Sequence, residues 1–233
     1  MDLNDGERLA LDQVPSEPFQ ASCRRCPRLS AFLDKVRLEM PEYHCAPVPA
    51  WGAQRARVLI VGLAPGLHGA NRTGRPFTGD ASGRLLFSVL AATGFARQTD
   101  TSTQLRGCRI TNAVRCLPPQ NRPNSSELAS CRAYLAHELN TLWSRTVRTN
   151  RCVVALGAVA YRAVSKLLDI RQPFEHGVSI DVDNRLRVVA SFHPSRLNVN
   201  TGRITRSMLT EIFDEVRDHI DDSPEVDGTS VRR

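Results

Sequence analysis

Lysine is almost missing from this chain: of its 31 basic residues only Lys35 and Lys166 are lysines, and the rest are arginines. A GC-rich coding sequence accounts for arginine over lysine. It does not account for a net charge of +7 or a pI of ≈ 9.4. Net basicity favours a polyanionic partner, and nucleic acid is the usual one. Long apolar runs are absent too. No stretch approaches the ~20 consecutive apolar residues that span a bilayer, so no membrane association is expected. The opening MDLNDGERLALDQVPSEPF lacks the charged start and apolar centre of a signal peptide, which predicts a cytosolic protein. An even complement of cysteines is also lacking. Seven thiols without an export signal argue against a disulfide framework and leave metal ligation or burial. Neither the GKS/GKT of a P-loop nor the GxGxxG of a dinucleotide site occurs, which disfavours an enzyme of nucleotide phosphates.

What is present supports one α/β core, since 233 residues at 41% hydrophobic content suffice for a single domain. Residues 1–21 read as a flexible lead-in, 22–220 as the domain, and 221–233 as a disordered tail. Leu29, Phe32, Leu33 and Val36 recur at helical spacing, and Pro41 stops that helix. Residues 41–56 read as an irregular link. The continuous apolar runs 58–61 and 152–156 predict strands covered on both faces, and RITNAV (109–114) predicts a third. Residues 178–182 and 186–192 predict a two-strand unit joined at Asp183-Asn184. Between the strands lie helical patterns, the first burying Leu85, Leu86, Val89 and Leu90. The second starts near Ser125 or Ser126 and carries Leu128, Cys131, Leu135, Leu139 and Leu142. The third spans about 158–168, and a last helix covers about 205–220. Residues 97–107 read as loop. The alternation predicts a three-layer α/β/α fold around a central, mostly parallel four-stranded sheet.

The chain's organising stretch is VLIVGLAPGLHGANRTGRPFTGDASGRLLF, at 58–87. From Gly62 to Gly83 it holds six glycines and two prolines, interleaved with His68, Asn71, Arg72, Arg75 and Asp80. Such a loop lets backbone and side chains approach a ligand closely. Asp80 or Ser82 can cap the helix that follows. Two further polar groups follow strands: Asn112 at the end of 109–114, and His193-Pro194-Ser195 after 186–192. In open α/β sheets the ligand crevice lies beyond the carboxyl ends of the strands. The three clusters are therefore expected in one pocket although they are remote in sequence. Cys23 and Cys26 form a CxxC pair, and Cys116 and Cys131 follow much later. Four such thiols permit either a zinc site or an iron–sulfur centre. Cys108 and Cys152 read as buried small apolar residues, and Cys45 has no assigned role.

GLAPG (62–66), HGANRTGRPFTGDAS (68–82), TNAVRCLPPQNRP (111–123) and HPSRLNVNTGRIT (193–205) resemble, in order, the motifs of the uracil-DNA glycosylase superfamily. The nearest resemblance is to family 5, the B-type iron–sulfur branch. Family 4 has Glu where this chain has Leu63, and its central loop lacks the Thr78-Gly79-Asp80 run. The resemblance implies a monomeric DNA-repair enzyme that flips a deaminated base out of double-stranded DNA and hydrolyses its glycosidic bond. It implies a structural 4Fe–4S cluster on Cys23, Cys26, Cys116 and Cys131, fastening the N-terminal helix. Phe77 would stack on the base, and Asn112 would read its edge, offering both donor and acceptor to uracil O4 and N3–H. Backbone groups of Leu63 and Ala64 would contact O2, with His68 and Asn71 as further base-side candidates. His193 would donate to O2 as charge develops there. The superfamily's best-known branch carries an Asp where this chain has Ala64, so Asp80 is expected to position the water. That branch also has Tyr where this chain has Gly66, and the wider pocket suggests hypoxanthine and ethenocytosine as further substrates. Arg72, Arg75, Ser82, Ser195, Arg196 and Arg203 would grip the DNA, and Leu197 would act as an apolar wedge. Loss of the acid at position 64 keeps a second reading open: a non-catalytic iron–sulfur DNA-binding module of the same fold.

Overall fold

The computed structural model describes residues 15–53, 55–98, 103–145 and 149–222. Most of the expected lead-in and tail therefore lie outside the described residues, as does the Leu142 side chain. Helix α1 (Pro27–Glu39) is followed by a short strand β1 (Trp51–Gly52) and by β2 (Val58–Gly62). Next come the one-turn helix α2 (Ala70–Thr73), α3 (Ala81–Ala92), and a small hairpin of β3 (Ala96–Gln98) and β4 (Thr103–Leu105). Strand β5 (Cys108–Asn112), α4 (Ser125–Arg145), β6 (Arg151–Leu156) and α5 (Ala158–Leu168) follow. The chain then forms β7 (Ser179–Asp181), β8 (Leu186–Ser191), α6 (Arg196–Asn200) and α7 (Arg206–Asp221).

The main sheet has the order β1-β5-β2-β6-β8-β7. β5, β2, β6 and β8 are parallel, and these are the strands whose apolar runs mark them in the sequence. The sheet has six strands rather than the four expected: the anticipated partner of β8 joins one edge as β7, and the unanticipated β1 joins the other, both antiparallel. β1 is only two residues long and has no side-chain period to betray it. It exists because Trp51 and Gly52 pair with Ile110 and Arg109. The hairpin likewise replaces part of the loop expected at 97–107.

Side chains alternate across the sheet. Val58, Ile60, Ile110, Val154 and Val189 pack on one face with α3 and α7, through Leu86, Leu90, Leu209 and Phe213. Leu59, Val61, Val153, Ala155 and Val188 pack on the other with α4 and α5, through Leu135, Leu139, Tyr161 and Val164. Each such aliphatic side chain contributes roughly 1.5–3 kcal/mol on burial, so this double core carries most of the stability. Three layers result. A third cluster lies at one end, where Leu29, Leu33 and Val36 of α1 meet Val114, Leu117 and Tyr134. The described end of the expected lead-in is docked there, with Phe19 edge-on to Tyr134 at 5.7 Å.

The parallel register has a consequence for function. Gly62 pairs with Asn112, and Leu156 with Ser191, so all four parallel strands end at one rim. The glycine-rich loop, Asn112 and the His193 segment all lie where these strands end.

Candidate active site

At the rim, Leu63, Ala64, Phe77, Asp80, Ser82, Asn112, His193 and Ser195 line one cavity of about 390 Å³. Phe77 and His193 face each other with ring centroids 5.7 Å apart and planes 28° from parallel. Asn112 is the last residue of β5 and is only 3% exposed. Its side-chain amide has no hydrogen-bond partner among the described residues, so its donors and acceptor are left to the cavity.

Two glycines make this convergence possible. A Cβ on Gly62 would stand 2.5 Å from Asn112 Oδ1 and 2.7 Å from the Phe77 ring. A Cβ on Gly69 would stand 2.3 Å from Asp80 Oδ2. The loop's glycine content therefore reflects close approach by site side chains. Phe77 itself sits at φ 56°, in the left-handed region that costs an aromatic residue energy. Packing of the ring against Gly62 and His193, beside the cavity, holds that conformation.

Asp80 is the N-cap of α3: its Oδ1 accepts from the Gly83 N–H at 2.8 Å. Ser82 lies inside the helix instead and lines the cavity. The cap occupies one oxygen of Asp80 and leaves Oδ2 beside Gly66 and Gly69. His193 is held by its backbone, whose carbonyl accepts from Asn198 Nδ2 and from the Ser195 N–H, both at 2.8 Å. Burial pushes the His193 imidazole down to about 4, against a smaller opposing pull from Asp80. At neutral pH the ring is therefore uncharged and presents one N–H donor.

Two expected base-side residues stand elsewhere. His68 is exposed, and its Nδ1 lies 2.9 Å from the Tyr43 hydroxyl. Asn71 is fully buried and its Nδ2 donates to Cys45 Sγ at 3.6 Å. Neither lines the cavity. None of the expected DNA-gripping arginines lines it. Arg72 donates to the Gly79 carbonyl at 3.2 Å, Arg75 lies 5.6 Å above the Trp51 ring, and Arg203 lies 4.5 Å above the Phe192 ring. Arg196 and Leu197 open the one-turn helix α6, capped by Ser195, and Leu197 is 72% exposed. Sequence reasoning missed Asn121, which lines this cavity from a left-handed turn (φ 56°). Its place in an NRP turn was the available signal.

The cysteines divide into two groups. Cys108 and Cys152 are buried within strands, and burial pushes the Cys108 thiol up to about 12. Cys23, Cys26, Cys116 and Cys131 instead share the α1 cluster. Burial raises Cys116 to about 12 and Cys131 to about 11, and in each the neighbouring thiols add to the rise. Beside them Arg115 is 1% exposed, with Nε and Nη1 unpaired, and shares Glu138 with Arg109. Two cations thus share one carboxylate, and Arg115 keeps two N–H groups unpaired close to Cys131. Among the described residues no three His, Cys, Asp or Glu side chains already stand in a metal-holding arrangement.

A cavity at the carboxyl rim of a parallel sheet, lined by an aromatic ring, an amide and an imidazole, is the ligand site of an open α/β enzyme. Similarity to known proteins agrees. The Uracil DNA glycosylase superfamily profile matches residues 49–217. A type-5 uracil-DNA glycosylase of Pyrobaculum aerophilum is 44% identical over 202 residues, covering 82% of this chain and 86% of its own. One of Thermus thermophilus is 39% identical over 208 residues, covering 84% and 93%. A type-4 enzyme of Archaeoglobus fulgidus is more distant, at 30% over 193 residues, covering 80% and 82%. The chain belongs to the uracil-DNA glycosylase superfamily, in its type-5 branch.

Proposed function

We propose that the protein excises deaminated bases from double-stranded DNA as a monofunctional glycosylase. The observation that carries this reading is the Asn112 amide: nearly buried, unpartnered, and opening into the same cavity as Phe77 and His193. The amide reaches the cavity with its donors and acceptor free, so a ligand that enters meets both. Uracil presents O4 and N3–H in the complementary pattern. The extruded base lies against Phe77, the backbone of Leu63 and Ala64 borders O2, and the arginines outside hold the flanking phosphates. Leu197, exposed two residues after the cavity-lining Ser195, fills the gap in the stack.

In the chemical step the N1–C1′ bond breaks and its electron pair leaves with uracil. The neutral His193 N–H hydrogen-bonds O2, where the negative charge collects. A water adds to the cationic C1′, directed by Asp80 Oδ2, which takes its proton. This assigns Asp80 both a cap and a catalytic duty, one on each oxygen. Gly66 leaves the cavity wall without a side chain, which supports acceptance of hypoxanthine and ethenocytosine as well as uracil.

The four clustered thiols fit a Cys₄ centre in donor type and in number, and the unpaired Nε and Nη1 donors of Arg115 fit a centre of net negative charge. We assign it as a 4Fe–4S cluster. Bound there, it supplies a covalent tie between α1, the 116 loop and α4; no chemical step passes through it.

The test is uracil release from a single-lesion duplex, followed by alkali cleavage at the abasic site. The wild-type protein should release uracil. Asn112→Ala should lower the single-turnover rate by roughly 10²–10³-fold, the loss typical of one oriented transition-state hydrogen bond, while duplex binding persists. Binding without any abasic product from the wild type would instead establish the non-catalytic alternative.

A further inference from the structure

A second cavity, of about 400 Å³, adjoins the first, and Leu63 and Asn121 line both. Its walls are α4, α5 and the turn before α4. Arg122, Arg132, Arg162 and Lys166 line it, and no acidic residue does. None of these four cations makes an ion pair among the described residues. Arg162 and Lys166 are four residues apart on α5, an arrangement in which like charges repel along a helix face. Arg132 faces them from α4. The floor between the charges is apolar, formed by Leu128, Leu135 and Val159.

Solvated surface cations ordinarily sit on convex faces among carboxylates. Here they ring a concavity with an apolar base, and that combination suits a nucleotide: phosphate at the charged rim and base or sugar on the floor. The partition between the two cavities is a single wall of Leu63 and Asn121. A strand with one base in the first cavity therefore needs only to pass that wall to reach the second. A third, smaller cavity, lined by Leu63, Val159 and His193, joins the two around Leu63.

Resting on the base-excision reading of the first cavity, we propose that the second holds the nucleotide flanking the extruded one on the same strand, with its phosphate among Arg132, Arg162 and Lys166. The cavity is thus a subsite for strand position, separate from base choice.

The experiment uses the full chain, an Arg162→Gln/Lys166→Gln double variant and a single-uracil duplex, with Kd measured across a salt series and single-turnover rates measured at saturation. The double variant should bind about tenfold more weakly at low salt, and its log K against log salt should be shallower by about 0.9 for each phosphate it no longer neutralises. The loss should fall on Kd rather than on the saturating rate. Duplexes with a methylphosphonate at each flanking position in turn should show one position whose neutralisation weakens the wild type and no longer affects the variant. Unchanged Kd and slope would overturn the proposal. Deoxyadenosine monophosphate binding the wild type as tightly as the duplex would overturn the strand assignment in favour of a free nucleotide. A wild type that binds duplex but releases no uracil sinks the base-excision reading instead, and the Kd series still reports on the subsite.

Discussion

The rim cavity and the cysteine corner treat their carboxylates in opposite ways. In the corner the carboxylates are committed. Glu127 accepts from Arg28 Nε and Nη2, both at 2.8 Å, and from the Asn124 N–H at 2.8 Å. Asn124 Oδ1 in turn accepts from the Glu127 N–H at 2.9 Å, closing a reciprocal cap on α4. At the rim Asn112 is uncommitted, Asp80 uses one oxygen, and Phe77 is held in a strained backbone. The corner ties up its carboxylates, although Arg115 Nε and Nη1 and the Tyr134 hydroxyl stay unpaired there; the rim leaves the Asn112 amide and one oxygen of Asp80 facing a cavity. Substitutions should therefore separate cleanly, with stability lost in the corner and rate lost at the rim.

The largest expected effect tests the corner. Cys116→Ala removes one sulfur of the proposed cluster, and loss of a structural centre belongs to the severe class of single substitutions. A loss of about 3 kcal/mol or more corresponds to a melting temperature lower by roughly 10 °C in a chain of this size. The brown absorbance that the proposed 4Fe–4S cluster would give the wild type should vanish with it. Iron and zinc content checks the assignment: a colourless, zinc-loaded wild type would remove the iron–sulfur centre, and an unchanged melting temperature would remove its anchoring role.

The intermediate effect tests the rim. Asp80→Asn keeps the cap, since Asn and Asp cap helices about equally well. It removes only the carboxylate beside Gly66 and Gly69. Melting and duplex affinity should hold, while the single-turnover rate falls on the order of 10²-fold, the lower end for a lost general base. A wild-type rate in this variant would reduce Asp80 to a cap.

The same contrast explains what was legible in the sequence. The four parallel strands were, because burial on both faces writes them as continuous apolar runs. The long helices were, through their 3.6-residue period. Together these determined which segments meet at the rim, and so brought Phe77, Asn112, Asp80 and His193 into one cavity. The short elements were not legible. β1, α2 and α6 have too few residues to show a period, and β1 depends on β5 for its existence. Side-chain direction within the glycine-rich loop was hidden for a related reason. His68, Asn71 and Asp80 lie in one irregular stretch, yet packing sends His68 to Tyr43, Asn71 to Cys45 and only Asp80 to the cavity. The second cavity was invisible because its cations come from two helices and a turn that nothing local connects.

The smallest effect is on pH dependence, and it concerns His193. Its folded value of about 4 lies below the ordinary 6.5. Above pH 6.5 both folded and unfolded rings are neutral, and the residue adds no pH dependence. Between 6.5 and 4 the unfolded chain takes a proton that the folded chain refuses, so stability falls with acidification across that window and levels off below it. With partial solvent access to the ring, the loss should be about 1–2 kcal/mol. Unfolding free energies of the wild type and His193→Asn, measured from pH 7.5 to 4, should diverge across this window as the wild type alone loses this increment. Parallel curves would mean that His193 titrates normally. It would then be largely charged at pH 5.5, and the neutral donor assigned to uracil O2 would lose its basis.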